Sequence, residues 1–333
     1  MKFSTASDRP TIGITMGDAA GIGPEIVVKS LADIGLRSIC RPVVIGDAAC
    51  LHRTAAYLGL STFETGEVEI LDLANLPPDF EIGADHAVTG KASAENIEAA
   101  ISLWKDKRID AVCTAPISKK AINLGGYDFP GHTEFLASLT GTTEFAMSFF
   151  AGELRVVLLS THHSLRAAIE LVKKEAIVDL IRFTDRELVR LLNRPVTIAV
   201  AGLNPHASEG GKFGSEEHEE IIPAVNECKS IGINASGPYS PDTIFLRGHK
   251  GDFDAVIALY HDQATIAVKS LSFGSGVNVT LGLPLKRTSV DHGTAYDIAG
   301  RGIADASSML AAIRLAAELA REERSARAAR REH

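Results

Sequence analysis

The chain has little that would mark several common functional classes. Four cysteines occur in 333 residues, Cys40, Cys50, Cys113 and Cys228, and none forms a CxxC pair or has zinc-ligand spacing. This excludes a disulfide scaffold and a thiolate zinc module, leaving reduced, mostly buried thiols. Positive charge is in deficit, with a formal net charge of −8. Phosphate-backbone binding needs a basic face, so a nucleic-acid partner is not expected. No apolar run approaches the roughly 18 residues of a membrane span. Residues 1–10 (MKFSTASDRP) lack the apolar core of a signal peptide, so a cytoplasmic enzyme with no membrane partner is expected. Neither GxGxxG nor GxxxxGK[ST] occurs. The loop GDAAGIGPE (17–25) follows a strand and opens a helix, yet Gly17, Gly21 and Gly23 have the wrong spacing for a dinucleotide fingerprint and suit a tight turn instead.

What is present is an alternation of apolar β-branched runs with helical patterns. Strands are predicted in 11–16, 42–46, 110–116, 154–162, 197–205 and 254–262. Runs this continuously apolar are buried on both faces, as in a parallel sheet covered by helices. Helices are predicted over 91–104, 173–192 and 215–232, with Pro24 opening another. The fold class is therefore α/β, and the length suits two domains. The charged tail 315–333 reads as a solvated terminal helix or frayed end.

Three of the predicted strands lead into histidines: VVLLS into His162 and His163, TIAVAGLNP into His206, and VIALY into His261. The carboxyl ends of strands form the site-bearing edge of an open α/β sheet. Three imidazoles gathered there suit a divalent metal with open positions; each alone also suits a hydrogen-bonded structural histidine. On an extended chain neighbouring side chains point to opposite faces, so only one of His162 and His163 is expected to face such a site. Gly131-His132-Thr133-Glu134 opens a helix and suits an anion at its N-terminus, or a plain cap with Thr133 as the capping residue. Lys269, Asn278 and Arg287, read as loop residues, suit a phosphate or carboxylate, or a solvated surface.

The segments ITMGDAAGIGPEI (14–26), TAPISK (114–119), GHTEF (131–135), GLNPHASEGGKFGSEE (202–217), YHDQ (260–263) and GVNVTLGLPLKRTSVDHGTAYDIAGRG (276–302) resemble the 4-hydroxythreonine-4-phosphate dehydrogenase family. The similarity runs from about residue 11 to 310. It implies an α/β fold like isocitrate and isopropylmalate dehydrogenases, with two domains around a cleft: 1–130 plus 290–333, and 131–289, the latter carrying the metal ligands and the dimer interface. It implies a homodimer with a shared active site. The family's metal ligands match His162, His206 and His261, one of them expected from the partner subunit, and its substrate contacts match His132, Thr133, Lys269, Asn278 and Arg287. The implied metal is zinc, with magnesium, manganese or cobalt as alternatives.

The loop HGTAYDIAG (292–300) resembles the adenosine-side loop of isopropylmalate dehydrogenases and marks His292 and Asp297 for the cofactor. An acidic residue there accepts from ribose hydroxyls and repels a 2′-phosphate, favouring NAD over NADP. The implied reaction is NAD-dependent oxidation and decarboxylation of 4-phosphohydroxy-L-threonine to 3-amino-2-oxopropyl phosphate, in pyridoxal phosphate biosynthesis, with Asp242 and Asp262 as candidate acid/base or supporting groups. The start MGDAAG is closer to the branch that resembles 4-phospho-D-threonate and 4-phospho-D-erythronate dehydrogenases than to the PGEPAG form. Alternatives of other classes are a metal-dependent phosphatase or aldolase, and a non-catalytic binding protein.

Overall fold

The apolar runs do become strands. A computed structural model of the chain describes residues 9–63, 66–272 and 276–331, with side chains to residue 324. The last two residues of the tail lie outside the described residues. Its strands are β1 (Thr11–Thr15), β2 (Arg41–Gly46), β3 (Glu69–Asp72), β4 (Ala111–Thr114), β5 (Ala146–Ala151), β6 (Leu154–Leu158), β7 (Ile198–Ala201), β8 (Ala235–Tyr239), β9 (Ala255–Ala258), β10 (Val277–Leu281) and β11 (Lys286–Ser289).

The chain divides into two compact units, one comprising the residues up to 145 and from 283 onward, the other 146–282. The sequence reading places these boundaries at 130/131 and 289/290. The reason for the first difference is hydrophobic: the helix His132–Thr140 buries Phe135, Leu136 and Ala137 in one cluster with Val43, Ile45, Ile97 and Ile101, so it belongs to the first unit. Leu283 and Leu285 join the same cluster, which brings the chain back before residue 290.

In the first unit the strand order is β3-β2-β1-β4-β11, and every pairing is parallel, as the continuous apolar runs predict. Helix Ala87–Lys105 covers one stretch of this sheet through Ile97, Ala100, Ile101 and Leu103. The second unit has the order β10-β5-β6-β9-β7-β8 and is mixed: β5 runs antiparallel to both β10 and β6, while β6, β9, β7 and β8 are parallel to their neighbours. The tight turn between β5 and β6 explains the departure from an all-parallel sheet, since two residues joining strands leave no room for a crossover helix. Its core gathers Phe149, Leu154, Val156, Ile244, Phe245, Val256 and Val268. Among the described residues, no helix is long and apolar enough to cross a membrane.

All four cysteines are buried thiols. Burial pushes Cys40 and Cys50 up to about 11 and Cys113 up to about 12, which removes them as thiolate ligands or nucleophiles.

Candidate active site

Two clusters of polar residues stand out, one in each unit. In the first, the strand order makes β1, β4 and β11 neighbours, so their carboxyl ends lie side by side. Arg287 sits within β11 opposite Val112, not in a loop as its polar surroundings suggest, and is 3% exposed. Its Nε and Nη2 donate to Thr114 Oγ1 at 3.3 and 2.9 Å. Burial pulls the guanidinium down to about 10, with Cys113 and Glu134 opposing the shift; it remains cationic at neutral pH. His132 opens the helix His132–Thr140, whose cap is Gly131 with no side-chain cap bond, so Thr133 is not the capping residue. The Nε2 of His132 is enclosed without a partner. Burial first, and the Arg287 charge second, hold this imidazole well below its usual range, so it is neutral. A buried guanidinium and a neutral imidazole beside a helix N-terminus form an anion-binding arrangement.

The glycine loop after β1 closes against the cofactor-type loop of the same unit. The Ile22 amide donates to Thr294 O at 2.9 Å, and a Cβ at Gly21 would lie 2.8 Å from that oxygen. Gly17 has φ +74°, with Pro116 O at 2.5 Å from where its Cβ would stand. Gly17 serves the tight turn that the spacing implies, and Gly17 and Gly21 also allow a close backbone approach. Asp18 is fully buried; its carboxylate accepts from the Ala20 amide at 2.9 Å and from the Tyr296 hydroxyl at 2.7 Å. The same hydroxyl is 3.1 Å from Asp85, which also takes the Ser118 hydroxyl and faces Lys120 at 3.4 Å. Burial, then Asp18, pushes the Tyr296 phenol far above its ordinary range. Asp297, next in sequence, is exposed, and the Nδ1–H of His292 donates to Gly293 O at 3.1 Å while Nε2 is enclosed without a partner.

In the second unit β6, β9 and β7 are consecutive neighbours, so the topology aligns the three strand ends that lead to His162, His261 and His206. The rings of His162 and His261 are 5.9 Å apart. His261 begins the helix His261–Ser272, and its Nδ1 lies 2.7 Å from Asp262 Oδ1, which fixes the proton on Nδ1 and leaves the Nε2 lone pair for a ligand. β6 ends at Leu158, so His162 and His163 follow in a bend and not on an extended strand. The alternation argument between them therefore loses its basis, while the His162 ring lies near that of His261.

His206 lies in a left-handed turn: His206, Ala207, Ser208 and Glu209 have φ of 54°, 53°, 64° and 46°. L-residues pay roughly 1–2 kcal/mol each for this conformation. The Nδ1 of His206 is 3.9 Å from Glu209. Asp242, exposed at the start of helix Pro241–His249, accepts from the Ser240 hydroxyl, which with the nearby His206 holds its carboxyl below the usual range. Lys269 is on the exposed side of helix His261–Ser272 and Asn278 lies within β10, both in regular elements where loops are expected. The Oδ1 of Asn278 is buried without a protein partner.

Among the described residues, no group of three or more His, Cys, Asp or Glu side chains is close enough to hold a metal ion. The His162–His261 pair with its oriented Nε2 fits part of an imidazole donor set, and in this single chain His206 does not complete it to a group of three. Residues that the sequence reading missed are Asp18, Asp85, Tyr296, Gln263 and Glu217. Asp18 and Tyr296 lie inside recognisable motifs, but only the fold puts them in contact.

Comparison with known proteins places the chain. A family model described as pyridoxal phosphate biosynthetic protein PdxA matches residues 38–316. The chain belongs to this family. A D-threonate 4-phosphate dehydrogenase of Cupriavidus necator is 47% identical over 324 residues, covering 93% of this chain and 97% of that protein. A 4-hydroxythreonine-4-phosphate dehydrogenase of Geobacter metallireducens is 45% identical over 326 residues, covering 94% and 96%. Among solved structures, a 4-hydroxythreonine-4-phosphate dehydrogenase from Klebsiella pneumoniae superposes with a TM-score of 0.86 at 40% identity, covering 96% of this chain and all of that one. A second, from Burkholderia phymatum, gives 0.81 at 45% identity, covering 93% and 98%. The PdxA-family fold is thus shared along nearly the whole chain, and Arg287, His132, Tyr296 and the three histidines fall within residues 38–316.

Proposed function

We propose that this chain is a cytoplasmic, NAD-linked and metal-dependent dehydrogenase that oxidises the C3 hydroxyl of a phosphorylated 3-hydroxy acid, with loss of CO2 from the resulting β-keto acid. The observation that carries this reading is the buried Arg287 guanidinium beside the neutral, unpartnered His132, in a chain of a family whose relatives are named as dehydrogenases of such substrates.

Each group has a physical task. Arg287, His132 and Thr133, with the free amides of the helix N-terminus, hold an anionic end of the substrate. Lys269 and Asn278 take further polar groups of the substrate. His162, His206 and His261 would hold one divalent ion, zinc by preference for imidazole, with magnesium, manganese or cobalt as alternatives; it supplies electrostatic stabilisation of charge developing on the C3 oxygen. Asp262 orients His261, and Asp242, kept ionised by its Ser240 hydrogen bond, is the candidate proton acceptor. His292 and Asp297 face the adenosine side of NAD, where the exposed carboxylate accepts from ribose hydroxyls. A homodimer that shares its active site belongs to this reading and supplies the remaining metal ligand.

Three substrates share this chemistry. 4-Phosphohydroxy-L-threonine gives 3-amino-2-oxopropyl phosphate, CO2 and NADH. The start Met16-Gly17-Asp18, together with the Cupriavidus relative, favours 4-phospho-D-threonate as a second reading, with 4-phospho-D-erythronate in the same class. The test is NADH formation with each of the three, run in parallel with NADP. One of them should turn over with NAD and much more slowly with NADP. Metal-dependent phosphate release or aldol cleavage without NADH would instead identify a phosphatase or aldolase.

A further inference from the structure

The segment that carries His206 is held from behind by a carboxylate. Glu217 is 2% exposed, at the start of the π-helical turn Glu217–Ile221 that runs into helix Ile222–Ser230. Its Oε1 accepts from the Leu203 amide at 2.8 Å and the Asn204 amide at 2.7 Å, and its Oε2 from Asn204 Nδ2 at 2.8 Å. Asn204 Nδ2 also donates to Glu216 at 2.7 Å. Two residues later the chain enters the left-handed turn His206–Glu209. Four successive non-glycine residues in that conformation persist only where the surroundings over-determine them. Inside the turn Ser208 does part of this, its carbonyl taking the Gly211 and Lys212 amides at 3.0 and 2.9 Å. At the base, Gly202 O accepts from Gln263 Nε2 at 2.8 Å, while Gln263 Oε1 takes the Leu259 amide at 2.7 Å, tying the turn to the strand end that leads to His261.

We propose that Glu217 is a positioning residue: its buried carboxylate anchors residues 203–204, enforces the left-handed turn, and so presents the His206 imidazole for metal binding. The inference rests on the reading of His206 as a ligand, and also makes a statement about the turn itself. A buried carboxylate that accepts two backbone amides and one side-chain amide from two consecutive residues restricts that stretch far more than a solvated loop would be restricted. Supporting groups of this kind typically tune metal affinity by about 10–100-fold.

The experiment is a cobalt titration of metal-stripped full-length protein, followed by visible absorption, for the unsubstituted chain, His206→Ala, Glu217→Gln, and Glu217→Gln combined with Ala207→Gly. Glu217→Gln keeps the shape but turns a donor toward Asn204 Nδ2. It should weaken cobalt binding about 10–100-fold and change the cobalt spectrum. Ala207→Gly should restore part of the affinity in that background, because glycine adopts φ near 53° without a Cβ penalty. A purely structural role would lower thermal stability and leave the spectrum and the rescue unmoved. If His206→Ala loses cobalt while Glu217→Gln binds it with unchanged affinity and spectrum, the inference is overturned and the ligand reading stands. If His206→Ala binds normally, the ligand reading fails and the inference falls with it. Should Glu217→Gln not fold, Asn204→Ala removes one of the three donors; a smaller loss in the same direction supports the inference, and unchanged affinity overturns it.

Discussion

Replacing Arg287 by methionine separates the chemistry of the anion site from its stability. The guanidinium is 3% exposed and pulled from 12.5 down to about 10, mainly by desolvation. At about 1.36 kcal/mol per unit, that shift places the cost of keeping the charge buried at neutral pH on the order of 3 kcal/mol. The sign follows from linkage: folding disfavours the protonated form, so the cost is fully present at neutral pH, begins to fall as pH rises through about 10, and is gone only above the ordinary value of 12.5. Methionine removes that cost and fills much the same volume, but gives up the guanidinium's hydrogen bonds, those to Thr114 Oγ1 among them, worth about 1 kcal/mol each. The two effects oppose each other, so the melting temperature of Arg287→Met should stay within a few degrees of that of the unsubstituted chain.

Activity should move the other way. A charge-assisted hydrogen bond to an anionic substrate is worth about 1.5–3 kcal/mol, so losing one lowers kcat/KM by roughly 10–150-fold. Arg287→Lys keeps the charge but not the two-pronged donor, and should fall between. The assay is initial NADH formation under varied substrate, with a thermal melt of each variant. An unchanged kcat/KM removes Arg287 from the substrate site. A large drop in melting temperature with a parallel loss of activity makes it a structural residue and refutes the reasoning.

Two further outcomes are expected. His132 is held neutral well below 6.5, so the unfolded chain binds more protons on the acid side of 6.5 and the folded protein loses stability as pH falls from there; the melting temperature of His132→Gln, followed from pH 7.5 to 5, should decline less than that of the unsubstituted chain, and parallel curves would refute the buried neutral imidazole. His162→Ala should lose bound metal and turnover while His163→Ala keeps most of both, measured by metal analysis and NADH formation; the reverse pattern would shift the ligand by one residue.

Much of this was legible in the chain because it depends on local pattern. The six buried runs of apolar β-branched residues read as strands without any tertiary information, and the histidines beyond three of them read as candidates because a strand's carboxyl end is where a side chain meets a site. The motifs around residues 14–26 and 276–302 carried the family resemblance by sequence alone. Where burial comes from the partner element, the pattern disappears. β11 is Lys-Arg-Thr-Ser with all four residues buried, and no hydrophobic period marks it. β8 contains Gly237-Pro238 and survives because it lies at the edge of its sheet, where proline costs no ladder bond.

Tertiary structure alone decided the rest. Helix His132–Thr140 belongs to the first unit because Phe135 and Leu136 fit its core, a choice made by shape and not by sequence distance. Tyr296 meets Asp18 across 278 residues, and Glu217 reaches back to Leu203 and Asn204 to hold a turn that no propensity would assign to His-Ala-Ser-Glu. Such contacts join groups remote in sequence, or impose a conformation that the local chain disfavours. Their energy comes from burial and from satisfied hydrogen bonds, which exist only once the fold is formed.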